Sequence, residues 1–203
     1  MSAVRSLLRV ALLCAPLAAV HGLAAAHRGE PPYGLLHRAR VGAEPATAEL
    51  RAIDAAARRA ELEPAARDAI GPRTKRLQVA DDEAVSIAPE RDGAWQTLDD
   101  GSRLWRLRVR AAGATDLRLG FARFAPPPGT TLHVIGADDA YQGPYTAADA
   151  AAGRLATAAV PGDSAIVELH VPAGAALADG AVVLSDVGAG FRDRFGRAAQ
   201  ADT

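Results

Sequence analysis

Cysteine, lysine and aromatic residues are scarce in this 203-residue sequence, and no block of like charge interrupts it. The one cysteine, Cys14, lies near the N-terminus, so neither a disulfide framework nor a cysteine-based metal site is expected in the rest of the chain. The formal net charge is -1, and a nucleic-acid partner, which usually meets a basic patch, is not expected. What the sequence does have is a hydrophobic share of 49%, with 19 Gly and 13 Pro, which is ordinary for a globular protein.

The first 26 residues have the pattern of a secretory signal peptide. Arg5 and Arg9 form a positively charged start, residues 10–20 are apolar, and Ala24 and Ala26 are the small residues that a signal peptidase reads. The apolar run is shorter than the roughly 20 residues that a membrane-spanning helix needs. We therefore expect cleavage after Ala26, no membrane span afterwards, and a secreted or periplasmic protein; the alternative is a retained N-terminal anchor.

Residues 27–74 are predicted to be a flexible arm with one helix. The first part of this stretch is rich in Pro, Gly and Arg, which favour turns over regular structure. Thr47 is a candidate N-cap for an amphipathic helix that continues to Leu62, since Leu50 and Ile53 begin an apolar spacing of three to four residues. The sequence therefore predicts one short helix ahead of the main domain.

The hydrophobic period changes from 3.6 to 2 after about residue 75. Short alternating runs recur every 8–12 residues or so, separated by Gly, Pro and Asp turns, which is typical of an antiparallel sandwich. The sequence predicts a mainly β fold, a jelly-roll-like antiparallel β-sandwich over residues 75–195 with a tail at 196–203. In the clearest run, RLWRLRVRA, one face carries Trp105, Leu107 and Val109 and the other carries Arg106, Arg108 and Arg110.

A Gly-Asp-Ser tripeptide that ends at Ser164 is the nearest approach to a catalytic motif. Trypsin-like enzymes continue this tripeptide with two glycines, where backbone amides must approach an oxyanion. Here Ala165 and Ile166 carry side chains at those positions, and His133 precedes the serine too closely for a two-barrel protease. We predict a hairpin turn at this point and no catalytic residue on this chain.

No cofactor or metal is expected. His133 and His170 alternate with apolar neighbours, which predicts the wetter face of a strand, and no zinc-binding histidine spacing occurs. Acidic clusters at 81–83, 99–100 and 138–139 leave calcium as an alternative, since calcium prefers oxygen ligands.

One surface is a candidate binding face. The arginine side chains that alternate with the core residues are predicted to form a stripe on neighbouring strands, either solvated or docking an acidic partner. Trp95 is an aromatic ring that could add to such a face. The candidate residues are Arg106, Arg108, Arg110, Arg118 and Trp95.

Nine stretches resemble, in order and spacing, a known secreted segment. They are residues 93–98, 100–107, 117–121, 128–129, 132–134, 143–146, 160–163, 167–169 and 190–192. Together they resemble the N-terminal, non-catalytic region of bacterial lysyl-endopeptidase-like, trypsin-type serine endopeptidases. The resemblance covers roughly residues 70–195.

The resemblance implies a pro-domain without catalytic residues of its own. It predicts that a protease domain would begin where the chain stops at Thr203, so the expectation is a truncated or free-standing relative. The implied role is binding of a secreted trypsin-type protease, as folding aid or inhibitor. The alternative is a secreted carbohydrate- or envelope-binding sandwich, in which exposed rings such as Trp95 would line a sheet. Lys75, the sole lysine, is a candidate processing site between helix and sandwich.

Overall fold

The fold is that of a computed structural model, which describes residues 29–42, 44–67 and 78–196. The predicted signal peptide with Ala24 and Ala26, the candidate processing site Lys75 and most of the predicted tail lie outside the described residues. None of the helices within these ranges is long and apolar enough to cross a membrane.

The described residues are mainly β. Short 3-10 turns span Arg38–Arg40, Ala137–Asp139 and Ala147–Asp149, and the helices are α1 (Tyr33–Leu36) and α2 (Ala55–Arg67). The strands are β1 (Thr47–Glu49), β2 (Ala80–Ile87), β3 (Ala94–Thr97), β4 (Arg103–Arg110), β5 (Asp116–Phe124), β6 (Thr131–Ile135), β7 (Tyr141–Tyr145), β8 (Leu155–Ala156), β9 (Val160–Pro161), β10 (Ser164–Val171) and β11 (Val182–Gly190).

Within the described ranges the strands form two sheets. The six-stranded sheet has the order β1-β4-β10-β6-β7, with β3 also paired to β4. The five-stranded sheet has the order β2-β11-β5-β8, with β9 also paired to β5. The ladders are antiparallel except for the short parallel pairing of β1 with β4. The predicted mainly β, antiparallel sandwich is confirmed.

The inward side chains of the two sheets make one hydrophobic core. Val109, Val167 and Leu169 from the six-stranded sheet, and Leu117 and Val187 from the five-stranded sheet, are 0% exposed. Successive side chains of a strand point to opposite faces, so the alternation in the sequence becomes the division between core and outer face. This division fixes which residues of β4, β6 and β10 face outward.

The helix begins later than the sequence predicts. Thr47 is not an N-cap but the first residue of β1, and the amide of Leu50 continues the pairing by donating to the carbonyl of Arg110 at 2.8 Å. Asp54 takes the capping role, since its carboxylate accepts the amide of Ala57 at 2.9 Å. Pairing with a strand distant in sequence overrides the local helical spacing.

Candidate functional site

The candidate site is the outer face of the six-stranded sheet, the face that points away from the core. β4, β10 and β6 lie side by side there. Their outward residues are therefore placed to contact groups beyond the two sheets. Two rows of paired residues cross this face: Arg108, Ile166 and Ile135 in one row, and Arg106, Glu168 and His133 in the next.

Residues 29–42, called the covering segment below, lie across this outer face. The amide of Gly34 donates to both carboxylate oxygens of Glu168, at 3.0 and 3.1 Å. The carbonyl oxygen of Glu30 lies 3.0 Å from Nε2 of His133. Although both side chains point away from the core, Glu168 is 1% exposed and His133 is 4% exposed.

The covering segment continues over the next row of the face. The Tyr33 ring stacks on the His170 ring, with centroids 5.6 Å apart, and Arg38 forms an ion pair with Asp139 beyond the sheet. The sequence predicts a flexible arm here and a wet environment for His133. The expectation for His133 is wrong, because residues 29–42 pack on the face that a period-2 pattern marks as solvent-exposed and bury its ring.

Burial beneath the covering segment changes the titration of three side chains. Desolvation raises the pKa of Glu168 above its usual range, against the hydrogen bond from Gly34 and the charge of Arg106. Desolvation also lowers the pKa of His133, and it lowers the pKa of His170 against the attraction of Asp100. The outer face therefore holds ionisable groups that are costly to charge.

A groove of about 460 Å³ opens between the covering segment and the turns at 135–139 and 162–164. Its floor is formed by Arg106, Arg108, Ser164, Ile166 and Glu168. This volume is within the range of about 300–1,000 Å³ that is usual for ligand pockets.

The charges around the groove are mixed. Five acidic and three basic side chains line it, and Arg108 forms an ion pair with Glu44. A binding partner would therefore meet alternating charges, which favour specificity of docking over attraction of one sign. The acidic side chains are Glu44, Asp138, Asp139, Asp163 and Glu168, and the basic ones are Arg38, Arg106 and Arg108.

The four candidate arginines do not form one stripe. Arg106, Arg108 and Arg110 share the outward side of β4, where Arg110 lies 3.7 Å from Glu49 and 3.8 Å from Asp163. Arg118 is on β5 in the five-stranded sheet and pairs with Asp82 at 2.7 Å. The expected stripe on neighbouring strands is wrong for Arg118, because β4 and β5 follow each other in the chain but belong to different sheets.

Trp95 lies on β3 at the margin of the six-stranded sheet and is 37% exposed. The guanidinium of Arg103 lies over its ring, 4.8 Å from the centroid, and the indole N–H donates to the carbonyl of Pro89 at 2.9 Å. A sugar that stacks on Trp95 would need a free face of the ring. Arg103 covers one of the two faces, so only the other is open to such a ligand.

Ser164 lies on the groove floor beside a cation. Its hydroxyl oxygen accepts a hydrogen bond from Arg108 at 3.3 Å. A guanidinium stays protonated in proteins, so Arg108 does not take a proton from the serine. This contact fits the predicted turn into β10, whose first residue is Ser164.

An Asp–Ser–His chain at the other end of the sheet was not predicted. The Ser102 hydroxyl donates to Asp100 at 2.6 Å and lies 3.0 Å from Nε2 of His170. The bonds from Ser102 lower the pKa of the Asp100 carboxyl. Since the serine proton points to the carboxylate, the histidine donates to the serine instead of activating it. The turn sequence Asp-Asp-Gly-Ser indicates the contact between Ser102 and Asp100. The contact with His170 depends on the register of β10 against β4, which the sequence does not show.

In the acidic cluster at 81–83, one of those that left calcium as an alternative, carboxylates are matched to donors of the chain. Asp81 pairs with Arg58 at 3.0 Å, and Glu83 accepts the amide of Arg51 at 2.9 Å. Within residues 29–42, 44–67 and 78–196, no group of three or more His, Cys, Asp or Glu side chains is arranged to hold a metal ion.

The fold places the protein among the two-sheet, mainly β proteins, and a groove lies on the outer face of its six-stranded sheet. Residues 42–187 match the family model described as the lysyl endopeptidase N-terminal domain. The match covers most of the chain, which belongs to this family and confirms the resemblance seen in the sequence. A search of curated proteins and a search of solved structures gave no significant match.

Proposed function

We propose that this chain is the non-catalytic pro-region of a secreted serine endopeptidase precursor and acts by binding a protease, as folding aid or inhibitor. The observation that carries the proposal is the family match, which runs from the end of the covering segment into β11 and so includes nearly the whole sandwich. The family is described as the N-terminal domain of lysyl endopeptidase, and this position ahead of an enzyme supports a role exerted on that enzyme. Export of the chain is part of the same proposal.

A rigid sheet is suited to this role. A partner that binds only the folded or near-folded protease stabilises it by mass action, and a surface held by strand ladders loses little entropy on binding. The outer face of the six-stranded sheet offers Ile166 as an apolar contact between Arg108 and Glu168. We propose the groove on this face as the contact surface.

A refolding assay tests the proposal. A denatured trypsin-type, lysine-specific protease domain is diluted with and without the purified chain, and the recovered activity and any 1:1 complex are measured. We expect a stable complex, together with either a higher refolding yield or inhibition of the folded enzyme. No complex with either form of the protease would contradict the proposal.

A matched pair of charge reversals locates the surface. Arg108→Glu places a carboxylate on the groove floor, and we expect it to weaken binding about tenfold, equivalent to about 1.4 kcal/mol. Arg123→Glu makes the same change at an exposed position of β5 on the five-stranded sheet and should leave the affinity within about twofold. Equal effects of the two reversals would place the contact outside the groove.

We also propose that the chain carries no peptidase activity. Ser164 is the residue nearest to a catalytic motif, and its hydroxyl is bonded to Arg108. Ser164→Ala is therefore expected to leave the hydrolysis background unchanged, as measured with a fluorogenic lysyl substrate. A purified chain with hydrolysis that disappears in Ser164→Ala would overturn this part.

A further inference from the structure

We propose that the covering segment is an acid-sensitive latch: it closes over the outer face of the six-stranded sheet at neutral pH and opens when His133 and His170 take up protons. The inference goes beyond the proposed function and requires no partner. It rests on the placement of two histidines directly beneath residues 29–42, each in contact with that segment.

His133 is the main element of the latch. Its Nε2 lies 3.0 Å from the carbonyl oxygen of Glu30, and a carbonyl only accepts, so Nε2 carries the proton of the neutral ring. Its Nδ1 is buried and has no hydrogen-bond partner among the residues that the structure describes. A second proton would therefore place a charge where neither solvent nor a described acceptor compensates it.

His170 adds to the effect from the neighbouring row. The Tyr33 ring stacks on it with an interplanar angle of 11°, and the His37 ring also contacts Tyr33, with centroids 4.4 Å apart. The pKa of His170 is lowered by desolvation, but the carboxylate of Asp100 offsets part of that shift. His170 is thus expected to contribute less than His133.

The other groups around His133 act in both directions. From β7, Tyr141 meets the ring edge-on at 6.2 Å, and from β10, Glu168 is its register partner. Desolvation lowers the pKa of His133 most and the charge of His170 lowers it further, against the hydrogen bond with the Glu30 carbonyl and the charge of Glu30, which raise it. The net effect favours the neutral ring in the closed state.

Glu168 has the opposite pH dependence. Its pKa is raised by desolvation, against the bond from Gly34 and the charge of Arg106 on β4, so its burial is least costly at low pH. Its contribution to closure therefore declines as the pH rises above 4.5, its ordinary value. Glu168 limits the response that the histidines produce.

The direction of the histidine effect follows from proton linkage. The pKa of each histidine is lower in the closed state than the ordinary value of 6.5, so opening is accompanied by proton uptake. Their contribution to closure is complete above pH 6.5 and is lost as the pH falls through 6.5 towards the lowered values. Acidification in this range should therefore uncover Arg106, Ile166 and Glu168.

Amide hydrogen exchange of the intact chain tests the latch. Exchange in residues 29–42 is followed at pH 7.5, 6.5 and 5.5 and corrected for the intrinsic pH dependence of exchange. We expect protection to fall about tenfold between pH 7.5 and 5.5, which is equivalent to about 1.4 kcal/mol of closing free energy. Protection in β10 should not change. A segment with constant protection, or one that opens only together with β10, would overturn the proposal.

Three variants identify the titrating groups. His133→Gln keeps an N–H donor for Glu30 but cannot become charged, and should reduce the tenfold response to about threefold; with His170→Gln added, less than about twofold should remain. Glu168→Gln keeps an acceptor for Gly34 and should leave the response equal or larger. A full response in the double histidine variant, or its loss in Glu168→Gln, would show that the histidines are not the switch. If a variant does not fold, the exchange of the unmodified chain at the three pH values decides whether the covering segment opens.

Discussion

Replacing Leu169 with alanine is expected to lower the free energy of unfolding by about 2–5 kcal/mol, the usual range for a buried leucine. Leu169 lies on β10, the third strand of the six-stranded sheet, opposite Trp105 on one side and Leu132 on the other, and it is 0% exposed. Removing its side chain leaves a cavity between two sheets whose strands are held by their ladders and cannot close it. Denaturant unfolding followed by circular dichroism measures the loss.

Leu36→Ala is the matched control for this prediction. Leu36 is in α1 of the covering segment and is 60% exposed, so the same chemical change should alter the stability by less than about 0.5 kcal/mol. Losses of similar size in the two variants would contradict a core located between the sheets.

Gly113→Ala is expected to be nearly as damaging, although it adds only one methyl group. Gly113 has a φ of +82°, and a Cβ atom there would lie 2.1 Å from the carbonyl oxygen of Ile53. The left-handed backbone costs about 1–2 kcal/mol with a side chain, and a collision with main-chain atoms adds about 1–3 kcal/mol. The amide of Ile53 donates to Ala112 at 2.7 Å, so the linker before α2 cannot move away without losing this bond.

Gly174→Ala separates the two contributions to that loss. Its φ is +76°, but a Cβ atom would meet nothing within 4 Å. It should therefore show only the backbone cost of about 1–2 kcal/mol. Thermal and denaturant unfolding of both variants gives the comparison, and a Gly113→Ala variant no less stable than Gly174→Ala would show that the linker yields freely.

The strands could be predicted from the sequence because their signal is local. Along β4, each residue alternates between the core and the outer face, and the run RLWRLRVRA shows this pattern without any knowledge of the partner strands. The order and spacing of the resembling stretches also identified the family correctly. The first signal depends on residues close together in the chain, and the second depends on the order of short stretches along it.

What could not be predicted depends on contacts between distant residues. The helical spacing from Thr47 onward is real, but the bonds to β4 determine the conformation of residues 47–50. Likewise, the alternating pattern around His133 gives no sign that Glu30, 103 residues earlier, covers its ring. The sequence-based prediction of one arginine stripe includes Arg118 for the same reason. The order of strands in the chain does not reveal which sheet each strand joins.

The short parallel strand β1 has a consequence for self-association. β4 is flanked on one side by β3 opposite Arg103–Arg106 and by β1 opposite Arg108–Arg110. The hydrogen bond from the Arg108 amide to the Ala46 carbonyl, at 2.9 Å, is part of the pairing along this side of β4. If residues 46–50 were pulled away, the main-chain groups of β4 would become an open template on which a second molecule could add a strand. Residues 47–49 thus occupy main-chain groups of β4 that would otherwise be open to the addition of a strand.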